Sequence, residues 1–209
     1  MNKKEIIERY SNHNEGIIKV KDIIDQGISK QYCLEFLKNN NYERIAKGLY
    51  ITPDLWIDDF YVLSYKYSKA IFSHETACYL LDMTDREPLQ YSVTLPYGYK
   101  VDHLTKQGIK AYSSTSERYQ IGIMEVTTPS GHIVRCYDPE RTICDIFRIH
   151  IDPQDKQVAV KEYLKKYKNA YAGKKCFIIG NGPSLKACDL EIINKEGIIS
   201  FASNGIYKI

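Results

Sequence analysis

The first 53 residues are broken so often by turn formers that no helix longer than about three turns fits between the breaks. Ile6, Ile7 and Tyr10 share one helical face, and the polar run Ser11-Asn12-His13-Asn14 ends that pattern before Gly16. The stretch GIIKV then reads as a short strand, and KVKDIIDQG as a short helix stopped by Gly27. Ser29 is placed to cap the next helix, ISKQYCLEFLKNNN, with Cys33, Leu34 and Leu37 on its inner face and the Asn39-Asn40-Asn41 run as its end. Two β-rich arms follow in YERIAKGLYITP around Ala46-Lys47-Gly48, the pattern of a tight hairpin.

Helix, strand, helix, glycine turn, helix and hairpin is the order of a winged helix-turn-helix. In that architecture the helix after the turn enters the major groove and the hairpin lies along the phosphate backbone. The expected DNA-binding residues are therefore Ser29, Lys30, Gln31 and Tyr32 at the start of that helix, and Arg44 and Lys47 on the wing. Two features favour a protein-docking module instead. Glu35 falls on the face that would meet DNA, and residues 1–53 carry nine Lys/Arg against seven Asp/Glu, a small excess for a dedicated DNA-binding domain.

The rest of the composition narrows the field. A chain of 209 residues has room for one good core or two small ones, and 29 basic against 26 acidic residues leave no global field that demands nucleic acid. The 18 tyrosines sit mostly in strand-like or amphipathic stretches and read as half-buried packing residues. No apolar run approaches the roughly 20 residues that cross a bilayer. The start, Met1-Asn2-Lys3-Lys4-Glu5, has no apolar segment of the signal-peptide kind, so a cytoplasmic protein is expected. Six scattered cysteines without a CxxC pair, including Cys144 within Ile143-Cys144-Asp145-Ile146, read as free buried thiols.

Past Pro53, DDFYVLSYKYSKA predicts a helix with Phe60, Leu63 and Tyr67 as its apolar stripe, and FSHETACYLLDM a second, capped by Ser73 and packed through Ala77, Leu80 and Leu81. His74 beside Glu75 suggests acid–base chemistry, but adjacent helical residues diverge by about 100° and a structural role is expected. LQYSVTLP and GIKAYSS read as strands, and GIMEVTTPSGHIVRCYD as a hairpin turning at Pro129-Ser130-Gly131. Asp138-Pro139-Glu140 opens a helix with a capping carboxylate and proline in the first turn, Ile143, Ile146 and Phe147 facing the core, and Arg141 and Asp145 paired on its surface. A last helix, DKQVAVKEYLKKYKNA, has a lysine-rich outer face (Lys161, Lys165, Lys166, Lys168).

Three blocks in order make the chain resemble a known family: R-x-x-x-G-x-Y-x-x-P over residues 44–53, F-S-H-E-T-A-x-Y-L over 72–80, and E-R-T-I-C-D over 140–145. Over residues of about 3 to 168 it resembles the AbiEi-type antitoxins of type IV toxin–antitoxin systems, which act in abortive phage infection. The resemblance implies an N-terminal winged helix that binds the operon's own promoter, and a C-terminal domain that carries antitoxin action. It further implies a nucleotidyltransferase-like toxin as functional partner, countered without need of direct contact.

The tail KKCFIIGNGPSLKACDLEIINKEGIISFASN reads as strand, glycine-rich turn, helix, strand, and resembles the opening of sialyltransferase-type glycosyltransferase domains. Its Gly180-Asn181-Gly182-Pro183-Ser184 loop has the chemistry to cradle a nucleotide phosphate. One βαβ unit lacks the crevice between several parallel strands that such enzymes use, so an incomplete βαβ fragment is expected.

The expected fold class is α+β: a winged helix-turn-helix over 1–53, a mixed α/β antitoxin-like domain over 54–170, and a truncated βαβ over 171–209. The expected function is a promoter-binding regulator acting on double-stranded DNA, not an enzyme, with no catalytic residue, metal, cofactor or membrane partner assigned. A nucleotide-sugar-binding transferase fragment and a protein-docking winged helix stand as the alternatives.

Overall fold

Two glycines in the left-handed region set the geometry of the first residues. Gly16 adopts φ +87°, and a Cβ there would stand 2.6 Å from Thr52 Oγ1. Gly48 adopts φ +79° in the two-residue turn of a hairpin. The computed structural model describes residues 2–149, 153–168, 176–179 and 199–202. Around those two glycines run α1 (Lys3–His13), β1 (Ile17–Lys19), α2 (Val20–Asp25), α3 (Lys30–Asn39), β2 (Glu43–Ala46) and β3 (Leu49–Ile51).

The three strands form an antiparallel sheet in the order β1-β3-β2, with Ile18 and Arg44 both opposite Tyr50. Pairing then steps from Arg44↔Tyr50 to Ala46↔Leu49, so Ile45 is the extra residue of a bulge. Ile7, Ile18, Ile23, Cys33, Phe36 and Leu37 make the core under the helices. Each large aliphatic or aromatic side chain buried there contributes about 1.5–3 kcal/mol. The inner face of α3 is thus Cys33, Phe36 and Leu37, while Leu34 is exposed. Residues three and four apart share a helical face, and Leu34 lies about 100° round from Cys33.

The chain continues through α4 (Asp59–Lys66), β4 (Ile71–Phe72), α5 (His74–Leu80), β5 (Ser92–Pro96), α6 (Asp102–Thr105), β6 (Lys110–Ser114), α7 (Ser116–Gln120), β7 (Ile123–Thr127), β8 (Ile133–Tyr137), α8 (Pro139–Arg148) and α9 (Pro153–Tyr167). A five-stranded mixed sheet has the order β6-β5-β4-β8-β7. Within it β4 runs parallel to β8 and antiparallel to β5, β5 runs parallel to β6, and β7 and β8 form the expected hairpin. This is a mixed α and β architecture.

Helix α4 serves both sheets. Val62 packs with Ile17, Ala46, Leu49 and Ile51, whereas the Phe60 ring meets Phe72 edge-on at 5.6 Å and lies 4.6 Å from Tyr91. The helix ends at Lys66, so its buried stripe is Phe60, Val62 and Leu63, with Tyr67 at the C-cap.

Several local expectations are corrected. Ser73 stands at the N-cap of α5, but its hydroxyl accepts from Thr94 Oγ1 at 2.9 Å and pairs with His74 Nδ1 instead of capping. The buried face of α8 is Thr142, Asp145 and Ile146, one residue round from the apolar pattern, and Phe147 is 57% exposed. The cause is the Arg141–Asp145 pair. It lies in the interior, with side chains only 13% and 7% exposed, where the sequence suggests the surface. Of the cysteines, Cys33, Cys78 and Cys136 are buried but Cys144 is exposed.

Contacts divide the chain into two compact units, Met1–Glu162 and Tyr163–Ile209. The expected 1–53 segment and residues 54–162 of the next one fall within the first, and the division comes inside α9, ahead of the expected boundary at 170. In the second, β9 (Cys176–Ile179) and β10 (Ile199–Ala202) pair in parallel, from Ile199↔Cys176 to Ala202↔Ile179. The Gly180–Ser184 loop, the helix expected after it and Cys188 lie outside the described residues.

Candidate nucleic-acid interface

The expected DNA-binding residues come from two consecutive elements. Gly27, at φ +84°, ends α2, and Ser29 at the N-cap of α3 accepts from the Tyr32 amide at 3.4 Å. Ser29, Lys30 and Gln31 are exposed along the first turn of α3. The hairpin then presents Arg44 and Lys47, also exposed, with Arg44 Nε donating to the Ala46 carbonyl at 3.3 Å. That bond, spanning the bulge at Ile45, holds the guanidinium stem along the strand.

Tyr32 is placed differently from its neighbours. It is half-buried against the core cluster that includes Cys33 and Phe36, and the Lys3 ammonium lies 5.7 Å from its ring centroid. Tyr32 is therefore a packing residue first. Lys3 brings a cation from α1 to the opening turn of α3, which sequence reasoning missed. No local pattern announces it, since α1 and α3 meet only in the folded chain. Leu34 and Glu35 are exposed on α3, and Glu43 on β2, so the face is not uniformly basic.

The hairpin turn is braced from behind. Val20 donates its amide to the Gly48 carbonyl at 2.9 Å, and Tyr65 of α4 donates its hydroxyl to the same oxygen at 3.4 Å. The Lys19 ammonium stands 5.5 Å from the Tyr61 ring centroid. Burial draws the Lys19 pKa down, but the hydrogen bond and charge of Tyr61 outweigh it and the net shift is upward. Tyr10 donates to Asp22 Oδ2 at 2.6 Å, and burial together with that carboxylate pushes its phenol well above the ordinary tyrosine range. These contacts fix the hairpin against α2 and α4, so Arg44 and Lys47 project from a rigid support.

His74 and Glu75 point to different partners. His74, in the left-handed region at φ 53°, stacks on Tyr112 at 3.7 Å between centroids, with Nδ1 against Ser73 Oγ at 2.9 Å. Glu75 instead accepts from Ser92 Oγ and from Lys110 Nζ, each at 3.0 Å. Ser73 is fully buried, which denies its hydroxyl to any substrate. Among the described residues, no group of three or more His, Cys, Asp and Glu side chains is arranged to hold a metal ion. No helix among them is long and apolar enough to cross a membrane.

No protein-family model matches the chain, and no match was found among the curated proteins compared with it.

Proposed function

We propose that this protein is a DNA-binding regulator of the AbiEi antitoxin kind, which grips its own promoter through a winged helix-turn-helix in its first 53 residues. The observation that carries the reading is the joint exposure of Lys30 and Gln31 at the start of α3 and of Arg44 and Lys47 on the hairpin that follows. An exposed helix start reaches base edges, and a braced hairpin with two cations meets phosphates. The order α1-β1-α2-α3-β2-β3 and the three ordered sequence blocks support the same reading. In this scheme a nucleotidyltransferase-like toxin is the functional partner, and the protein acts in the cytosol by binding, without turnover.

Leu34 and Glu35, exposed on the same helix, favour one second reading, a protein-docking module. Fluorescence anisotropy with the chain's own upstream duplex, at salt between about 50 and 200 mM, separates the two. Promoter binding should weaken steeply with salt, and replacing Arg44 and Lys47 together with alanine should lower the log–log slope by about 2. Lys30→Ala and Gln31→Ala should narrow the preference for the upstream duplex over an unrelated one of equal length. Equal, shallow binding to both duplexes would overturn the proposal in favour of docking.

A further inference from the structure

A cavity of about 490 Å³ opens within the first unit, between α5, the 84–90 segment, the start of β6, α8 and the first turns of α9. Its floor is aliphatic and sulfur-bearing: Cys78, Ile146 and Ala159, all buried. Its walls carry two ion pairs, Lys110 Nζ to Glu75 Oε1 at 3.0 Å and Arg86 Nη1 to Asp155 Oδ2 at 3.8 Å. Neither DNA binding nor the packing of the sheet uses this space. Its volume lies within the roughly 300–1,000 Å³ of small-molecule sites.

We propose that this cavity binds a small aliphatic zwitterion, an amino acid or dipeptide with apolar side chains. Two cations and two carboxylates around one apolar floor match a ligand that carries both an ammonium and a carboxylate. The wall pairs are partly solvated, with Arg86 70% and Asp155 44% exposed, and such pairs exchange partners at little cost. A ligand carboxylate takes Arg86 and Lys110, a ligand ammonium takes Glu75 and Asp155, and the aliphatic part displaces water from the floor. Among the described residues, no aromatic side chain lines the cavity, so they offer no stacking surface for a nucleobase. The site binds and does not react. Burial pushes the Cys78 thiol up to about 12, so no thiolate is available near neutral pH. Glu75 stays ionised, because its backbone amide, Lys110 and Ser92 overcome the upward push of burial and leave its pKa below the ordinary value.

Isothermal calorimetry on the full chain tests this with leucyl-leucine, N-acetyl-leucyl-leucine, leucyl-leucine amide and AMP. Leucyl-leucine should give saturable heat, and each derivative lacking one charge should bind at least about tenfold more weakly, a difference of about 1.4 kcal/mol. Arg86→Met should weaken leucyl-leucine several-fold while leaving the melting temperature unchanged, since Arg86 is a surface side chain. The proposal is overturned if leucyl-leucine gives no saturable heat, if the charge-deleted derivatives bind as well as the parent, or if AMP binds in its place. Promoter binding needs no ligand here, so either result can stand without the other.

Discussion

Asp58 and His132 meet across the first unit: His132 Nδ1 lies 2.8 Å from Asp58 Oδ2, and the Asp58 side chain is only 2% exposed. The same carboxylate caps α4 by accepting the Tyr61 amide at 3.1 Å, and accepts Thr128 Oγ1 at 2.6 Å. The imidazole stacks on Tyr61 at 4.6 Å between centroids, and its Nε2 is buried with no hydrogen-bond partner among the described residues. In its neutral form the ring thus carries its proton on Nδ1, facing Asp58. One carboxylate ties the segment after β3 to the β7–β8 hairpin, 70 and 74 residues further along the chain.

Removing that carboxylate should be costly. Asp58→Ala takes away a helix cap and leaves Thr128 and His132 without their acceptor, an expected loss of about 2–3 kcal/mol, or roughly 5–10 °C in Tm. Thermal unfolding followed by circular dichroism measures it. A Tm within about 2 °C of the parent means the contact carries no weight.

The Arg141–Asp145 pair makes a second, sharper case. Arg141 Nε reaches Asp145 Oδ2 at 2.7 Å, its guanidinium lies 4.3 Å from the Tyr137 ring centroid, and Nη1 donates to the Arg118 and Ile121 carbonyls. Losing either partner strands a buried charge, at about 3–5 kcal/mol. Arg141→Met combined with Asp145→Leu should therefore cost less than the sum of the two single changes. Strict additivity, within about 0.5 kcal/mol, contradicts the coupling.

His74 makes acid stability depend on one buried ring. Burial holds its pKa below the ordinary histidine value, against the upward pull of Asp145 and Glu75. The unfolded chain therefore binds the proton first. Stability is fully present above the unfolded pKa of about 6.5 and is lost as pH falls from there through the lower folded value. Glu75 is also depressed, so its contribution is lost only in the carboxylate range below. His74→Asn suits the left-handed backbone and cannot titrate. It should flatten the stability profile as pH falls below about 6.5 in denaturant titrations. An unchanged slope would assign the acid sensitivity elsewhere.

Thiol chemistry should separate Cys144 from the buried cysteines. Cys144 is exposed, whereas burial raises the pKa of Cys33, Cys78 and Cys136. Brief iodoacetamide treatment of the native chain, mapped by mass spectrometry, should label Cys144 and spare the other three until denaturant is added. Early labelling at Cys136 would contradict its place in β8.

Much of the local structure was legible in the chain itself. Gly16, Gly27, Gly48 and the Asn39–Asn41 run mark boundaries because each meets a backbone condition that few residues tolerate, and Asp138-Pro139 starts α8 through contacts within one turn. Lys30, Gln31, Arg44 and Lys47 were legible as an exposed set because they flank apolar positions of known period. Tyr32 was not, since its packing depends on α1.

What the sequence alone determined is most of the longer elements and their order, because caps, turns and periodicity act over a few residues, whereas the short β4, α6 and α7 span too few residues to show a period. Only the tertiary structure decided that Asp145 faces inward while Phe147 does not, that α4 serves two sheets, and that Glu75, Lys110, Arg86 and Asp155 surround one cavity. Those outcomes depend on which distant groups satisfy a buried charge or fill a space, and no local period encodes such a partner.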